Sequence, residues 1–260
     1  VIELKDPFVI DASKELIIAL HSSTNRKDVY PAVTDEGPAI NEKGNLVSKE
    51  KLFQNMKHHI TAIMERYKDV VYAWDVVNEA ISDGGRPVMG QKPSPYRNSP
   101  LYQIAGDEFI KKAFIYAREA DPNVLLFYND YNAADPQKRD RIYNMVKSMK
   151  EEGVPIDGIG MQGHYNIYGP SMEDVDAALT KYSTIVKHIH ITELDIRANE
   201  EMGGHLNFSR EAGDISQTVK LLQEDQYTRL FKILRKHKDV VDNVTFWNLS
   251  DRDSWVGVRN

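Results

Sequence analysis

Glu79 and Glu193 each close an apolar, β-branched run. The first run reads Val71-Tyr72-Ala73-Trp74-Asp75-Val76-Val77-Asn78-Glu79-Ala80 and passes into Ser82-Asp83-Gly84-Gly85. The second reads His188-Ile189-His190-Ile191-Thr192-Glu193-Leu194-Asp195. This is the pattern of buried parallel strands that deliver polar side chains at their C-terminal ends. Breaking a glycosidic bond needs one carboxylic acid to protonate the leaving oxygen. It also needs a second carboxylate to act as nucleophile or to activate water. Glu79 and Glu193 supply such a pair, and two glutamates on two strand ends suggest a retaining glycosidase. A lone strand-end glutamate is more often a solvated loop residue, since most of the 39 acids must sit at the surface. Two in equivalent places carry the chemical reading.

Their neighbours fit that chemistry. Asn78 can donate to a sugar hydroxyl. His164 ends its own strand, Ile156 to Met161 running into Gln162-Gly163-His164-Tyr165, and so reaches the mouth that Glu193 shares. A histidine that donates to a carboxylate keeps it ionised, as a nucleophile requires. Asp195 shares a strand face with Glu193 and can hold the other ring nitrogen. Trp247 and Trp255 bracket the final loop, where aromatic planes suit the apolar C–H faces of sugars; Trp74, mid-strand, reads as core. His188-Ile189-His190 is an H-x-H of the kind that can bind metal. Strand parity counted back from Glu193 turns both rings toward the helices, away from the interior, so no metal is expected there. His58-His59, on a helix, reads as ordinary surface.

The elements that must position these residues alternate along the chain. Ser48 can cap a helix whose apolar positions Leu52, Met56, Ile60, Ile63 and Tyr67 recur at helical spacing. The Glu79 strand follows, then a helix with Phe109, Ile110, Ala113, Phe114 and Ala117 on one stripe. Val124 to Phe127 is a strand running into Tyr128-Asn129-Asp130-Tyr131-Asn132. Asp135-Pro136 opens the next helix, and Ser171-Met172-Glu173-Asp174 resembles a capping box for another. After the Glu193 strand comes a long helix from about Ile215 to Lys238, then a strand from Val244. Five strands and five helices in strict alternation mean parallel βαβ units. Because every strand ends in polar and aromatic residues, the arrangement reads as part of a TIM-type (β/α)8 barrel, not a doubly wound sheet.

Bulk properties narrow the partners. The 260-residue chain carries a net charge of −6, which argues against nucleic acid or an anionic membrane as partner. It has no apolar run long enough to span a bilayer, and it contains no cysteine, so thiolate chemistry is excluded.

The quoted segments resemble the glycoside hydrolases of family 10, the endo-β-1,4-xylanases. Trp74 to Ala80 looks like their acid/base signature and Ile191 to Asp195 like their nucleophile strand. Asn129-Asp130-Tyr131-Asn132, Gly160-Met161-Gln162-Gly163-His164, and Phe246-Trp247 with Ser254-Trp255 match further motifs in order, and Gly44 to Ser48 resembles the segment before the family's third helix. The resemblance implies a (β/α)8 barrel acting on xylan or xylo-oligosaccharides without a cofactor. It implies Glu79 as acid/base and Glu193 as nucleophile, with Asn78, Gln162 and His164 around the scissile sugar. Tyr131 and Asn132 would lie on the leaving-group side, and Trp247 and Trp255 would wall the opposite side. It further implies a secreted, cell-surface or periplasmic protein.

Two departures stand out. Asn248 replaces the glycine usual after the tryptophan, and the family's first three strands are not recognisable. Leu16 to Leu20 offers at most one strand. Residues 1–43 therefore read as a poorly defined N-terminal segment, the end of an inserted module or a trimmed piece, ahead of barrel residues 44–260. A parallel barrel closes only when its last strand pairs with its first. The missing strands are accordingly expected from another segment or chain. Two alternatives stay open at the level of sequence: a xylan-binding or inactive remnant, and a related retaining β-glucanase.

Overall fold

The computed structural model describes residues 39, 45–84, 94–198, 216–249 and 254. The possible strand at Leu16–Leu20, the segment 1–38 and Trp255 lie outside them. The chain order is α1 (Lys49–Tyr67), β1 (Ala73–Asn78), α2 (Pro100–Ala105), α3 (Glu108–Ala120), β2 (Leu125–Asp130) and α4 (Pro136–Glu151). Then come β3 (Gly158–Met161), β4 (His164–Asn166), α5 (Met172–Tyr182), β5 (His188–Arg197), α6 (Gln217–Lys236) and β6 (Val241–Phe246). The expected alternation is present except that β4 follows β3 directly and two helices separate β1 from β2. The short α2 was not anticipated, and the last strand begins at Val241, ahead of the expected Val244.

Local chemistry sets the helix starts. Ser48, Asp135 and Ser171 each place a side-chain oxygen on a backbone N–H of the first turn. These groups have no partner inside the helix, so each cap stabilises its helix by about 1 kcal/mol. Asp135 accepts from both Gln137 and Lys138, and Pro136 presets the first helical residue. Each helix turns an apolar stripe inward, for example Phe109, Ile110, Ala113, Phe114 and Ala117 of α3.

The strands are parallel throughout, in the order β1-β2-β3-β5, with β6 on the far side of β5. β4 continues the line of β3 along the upper end of β5, after a bend at Gly163, whose φ of +81° suits glycine. Five strand lines thus form an arc of the barrel wall. Among the described residues β1 pairs with β2 and β6 with β5, and neither has a second strand neighbour.

The register shows which residues face the interior. Phe127, Gly158 and His188 lie side by side across β2, β3 and β5, as do Asn129, Gly160 and His190 one step up. Ile189 and Ile191 point to the helix layer and are fully buried. His190 stacks on Phe127 with ring centroids 4.0 Å apart, and burial pushes its imidazole down to about 4. This corrects the parity argument: His188 and His190 face the interior and share Asp242, at 2.6 and 3.1 Å. The count failed because β5 bulges. Ile191 pairs with Val244 but Leu194 with Phe246, so an extra residue on β5 resets the alternation just before the glutamate. β1 does the same, with Asp75 opposite Phe127 and Val77 opposite Tyr128.

The alternation Gly158-Ile159-Gly160 on β3 leaves the interior beside it to the large side chains of β2. A Cβ at Gly158 would lie 2.2 Å from Phe127 Cε1 and 2.7 Å from the His188 carbonyl oxygen. Gly158→Ala should therefore destabilise the chain by about 1–3 kcal/mol through overpacking. Urea unfolding measures this, and an unchanged midpoint would contradict the layer packing described.

Candidate active site

Glu79 follows β1 with φ +57°, a conformation rare for a residue with a side chain. Its backbone N–H donates to the Asn129 carbonyl at 2.9 Å, tying it to β2. Its carboxylate accepts from Arg97 Nη1 at 2.6 Å and from Gln162 Nε2 at 3.0 Å. Arg97 also donates to the Glu79 backbone carbonyl. Glu193 sits in the β5 bulge and is buried. It accepts from Asn129 Nδ2 at 3.0 Å and contacts His164 Nε2 at 3.2 Å. The other ring nitrogen of His164 meets Asp195 at 3.1 Å.

The expected triad Glu193–His164–Asp195 is thus assembled, and its electrostatics can be read. Burial pushes the His164 imidazole down, but hydrogen bonds and charge from Asp195 and Glu193 outweigh it and carry the group up to about 9. Near neutral pH the ring is a cation between two carboxylates. It donates from both nitrogens, which favours an ionised Glu193.

The two glutamates also share a carbonyl. Asn78 Oδ1 accepts from Asn129 Nδ2 at 3.0 Å and from Gln162 Nε2 at 3.1 Å. Since Gln162 also holds Glu79 and Asn129 also holds Glu193, a continuous chain of hydrogen bonds joins the carboxylates. The pair therefore stands on one face of one site, as two-carboxylate chemistry needs.

On the Glu79 side stands Tyr131. Lys138 Nζ lies 3.4 Å from its ring centroid, its hydroxyl donates to Asp83, and Arg97 lies 5.8 Å from the ring. Lys138 is only 1% exposed and bridges Asp83 and Asp130, each at 2.8 Å. The Asp130 contact is an ion pair without hydrogen-bond direction. Burial raises Asp130 although Lys138 pulls it down. Removing one partner of such a buried pair typically costs about 3–5 kcal/mol, so the floor beneath Tyr131 is stiff. Asn132 has φ +51° and its carbonyl accepts from the Asp135 N–H, which joins the loop to the α4 cap. Trp247, on the other side, meets the His164 ring edge-on at 6.2 Å, and its backbone N–H donates to the Leu194 carbonyl.

Sequence reasoning singled out both glutamates, Asn78, Gln162, His164, Asp195, Tyr131 and Trp247, and the structure brings these together. It missed Asn129, Arg97, Lys138 and Asp83. Asn129 was detectable as a polar residue two positions beyond Phe127 on the same interior face. Arg97 reaches Glu79 from a loop of no regular period, and no local pattern marks it.

Comparison with known proteins gives a consistent picture. The model of Glycosyl hydrolase family 10 matches residues 37–260. The chain is 61% identical over 225 residues to an endo-1,4-beta-xylanase/feruloyl esterase of Xylanibacter ruminicola, covering 84% of this chain and 31% of that protein. It is 40% identical over 214 residues to an endo-1,4-beta-xylanase of Geobacillus stearothermophilus, covering 82% and 62%. Among solved structures, a psychrophilic family 10 endo-beta-1,4-xylanase superposes with a TM-score of 0.77 at 65% identity, covering 86% of this chain and 66% of that one. A Paenibacillus barcinonensis xylanase solved with a conduramine derivative gives 0.74 at 38% identity, covering 83% and 62%. The chain thus spans between about a third and two thirds of these relatives.

The His164 shift predicts a pH dependence of stability. Its folded value of about 9 lies above the ordinary histidine value of 6.5. The stabilisation is fully present below the unfolded value and is lost as pH rises through the folded one. Urea midpoints of the parent should therefore fall between about pH 6.5 and 9, and His164→Gln should flatten that decline. A parallel decline in the variant would remove His164 as its source.

Proposed function

The chain belongs to glycosyl hydrolase family 10, and on that footing we propose that it catalyses retaining endo-hydrolysis of β-1,4-xylosidic bonds in xylan. The observation that carries this reading is the chain of hydrogen bonds that holds two strand-end carboxylates on one face, each in a different environment. In the first step Glu193 attacks the anomeric carbon while Glu79 gives its proton to the leaving oxygen. The C–O bond breaks and a glycosyl ester forms on Glu193. In the second step Glu79, now ionised, takes a proton from water. The water oxygen attacks the anomeric carbon and Glu193 leaves.

The neighbours suit this division. The His164 cation supports the charge that Glu193 needs before attack and on departure. Arg97, bonded to the Glu79 carboxylate, faces the charge that group carries in the second step. Asn78, with its carbonyl engaged twice, offers its N–H to a sugar hydroxyl. Tyr131 and Asn132 flank the leaving-group side, and Trp247 walls the other; Trp255, outside the described residues, is assigned to that wall by the family pattern alone. Xylan is a polymer, so the place of action proposed is outside the cytoplasm. Among the described residues β1 and β6 each have one edge without a strand neighbour, which leaves backbone groups in need of partners. In the working barrel, strands from another segment or chain are proposed to meet them. The retained carboxylates, each with its donors in place, favour turnover over mere xylan binding.

Glu193→Ala should abolish turnover of xylan and of aryl xylosides alike, a loss of about 10⁵-fold or more. Glu79→Ala should lose xylan hydrolysis yet retain aryl xylosides whose leaving groups need little protonation. Reducing-sugar release and aryl-group release measure the two. Equal loss on both substrates in Glu79→Ala would contradict the acid/base role. A parent chain that binds xylan without releasing sugar would favour the binding reading.

A further inference from the structure

Asn129 takes no part in the steps above, yet its side chain bonds three residues of the site. It lies on the interior face of β2 with 0% exposure. Its amide nitrogen donates to Glu193 Oε1 and Asn78 Oδ1, both at 3.0 Å, and its oxygen accepts from Thr192 Oγ1 at 2.7 Å. A primary amide has two N–H donors, and here both are engaged.

The orientation follows from the partners. Turned over, the amide oxygen would face an ionised carboxylate and a carbonyl, neither of which can donate. The position follows from β3: a Cβ at Gly160 would lie 2.4 Å from Asn129 Oδ1, so only glycine leaves room for this amide. Thr192 shares the interior face of His190 by ordinary alternation, and its hydroxyl, beside Glu193 at the β5 bulge, locks the amide.

We propose that Asn129 is a positioning residue that holds Glu193 and Asn78 in one fixed relation and favours the ionised form of Glu193. The inference rests on the reading of Glu193 as nucleophile. Asn129 is not alone in acting on that carboxylate. His164 contacts it from β4, with Asp195 on the far ring nitrogen, and Asp75 on β1 is close enough for charge repulsion. Glu79 is linked to it through Gln162 and Asn78. His164 and Asn129 support the charge on Glu193, while the carboxylates oppose it. Loss of the amide donor therefore makes Glu193 easier to protonate.

The test uses the full chain with Asn129→Ala, which removes the donor without adding charge, and Thr192→Val, which keeps the side-chain shape and removes only the lock. The readouts are the pH profile of kcat/KM on an aryl xylobioside and the titration of the Glu193 carboxyl by ¹³C NMR. Asn129→Ala should lower kcat/KM by about tenfold to a hundredfold and move the acidic limb up by about one pH unit. The loss should fall mainly on kcat, because the contact aligns the attacking group. Thr192→Val should shift the limb in the same direction by less. A lowered melting temperature with an unmoved acidic limb in both variants would overturn the proposal. A parent without turnover would sink the nucleophile reading instead, and the Glu193 titration would still decide Asn129. An upward midpoint in both variants supports the contact, and an unchanged one refutes it.

Discussion

The interior of a parallel barrel can be filled from only some of its strands at each level, and the site depends on that constraint. Between β2 and β5 the interior positions of β3 are Gly158 and Gly160, and the space they leave belongs to Phe127 and Asn129. Phe127 on the lower level stacks on His190 from the level above, where Asn129 is a polar amide with three partners. The same geometry that makes the lower level hydrophobic packing makes the upper level a hydrogen-bonding platform. Both glutamate strands then break their alternation with a bulge just below the mouth, so that residues whose parity points elsewhere turn toward the site.

The two carboxylates sit in different fields because of what flanks them. Glu193 is buried and held by neutral amide and imidazolium donors on rigid strands. Glu79 is partly open and meets Arg97, a guanidinium reaching in from a loop beside Tyr131. A buried group with fixed donors suits a nucleophile whose charge must persist. A more open one beside a cation suits a group that changes protonation between steps. Lys138, Asp130 and Asp83 extend the second arrangement downward. They form a stiff ionic base under the half-buried ring of Tyr131.

Much of this was legible in the sequence. The apolar runs ending in Glu79 and Glu193, the Asp135-Pro136 start and the Ser48 and Ser171 caps are short-range signals, and each of these elements formed where its pattern placed it. Trp247 was legible as a strand-end residue; His164 was read as one too, but it opens β4 just past the end of β3. The direction of His188 and His190 was not, because a bulge is a property of two paired strands and parity along one strand cannot reveal it. Arg97 and Lys138 act across loops and helices far apart in sequence, where no periodicity points. Trp255 lies outside the described residues, so its part in the cleft still rests on the family pattern.

The central claim is that Glu193 forms a covalent glycosyl ester, and trapping that ester tests it most directly. A 2-deoxy-2-fluoro xylobioside with a good leaving group slows both steps but spares the first enough for the ester to accumulate. Incubation followed by peptide mapping by mass spectrometry should find one added fluoroxylobiosyl unit, on the peptide containing Glu193 and on that carboxylate. A chain that hydrolyses xylan yet takes up no label, or carries it on another residue, would contradict the account.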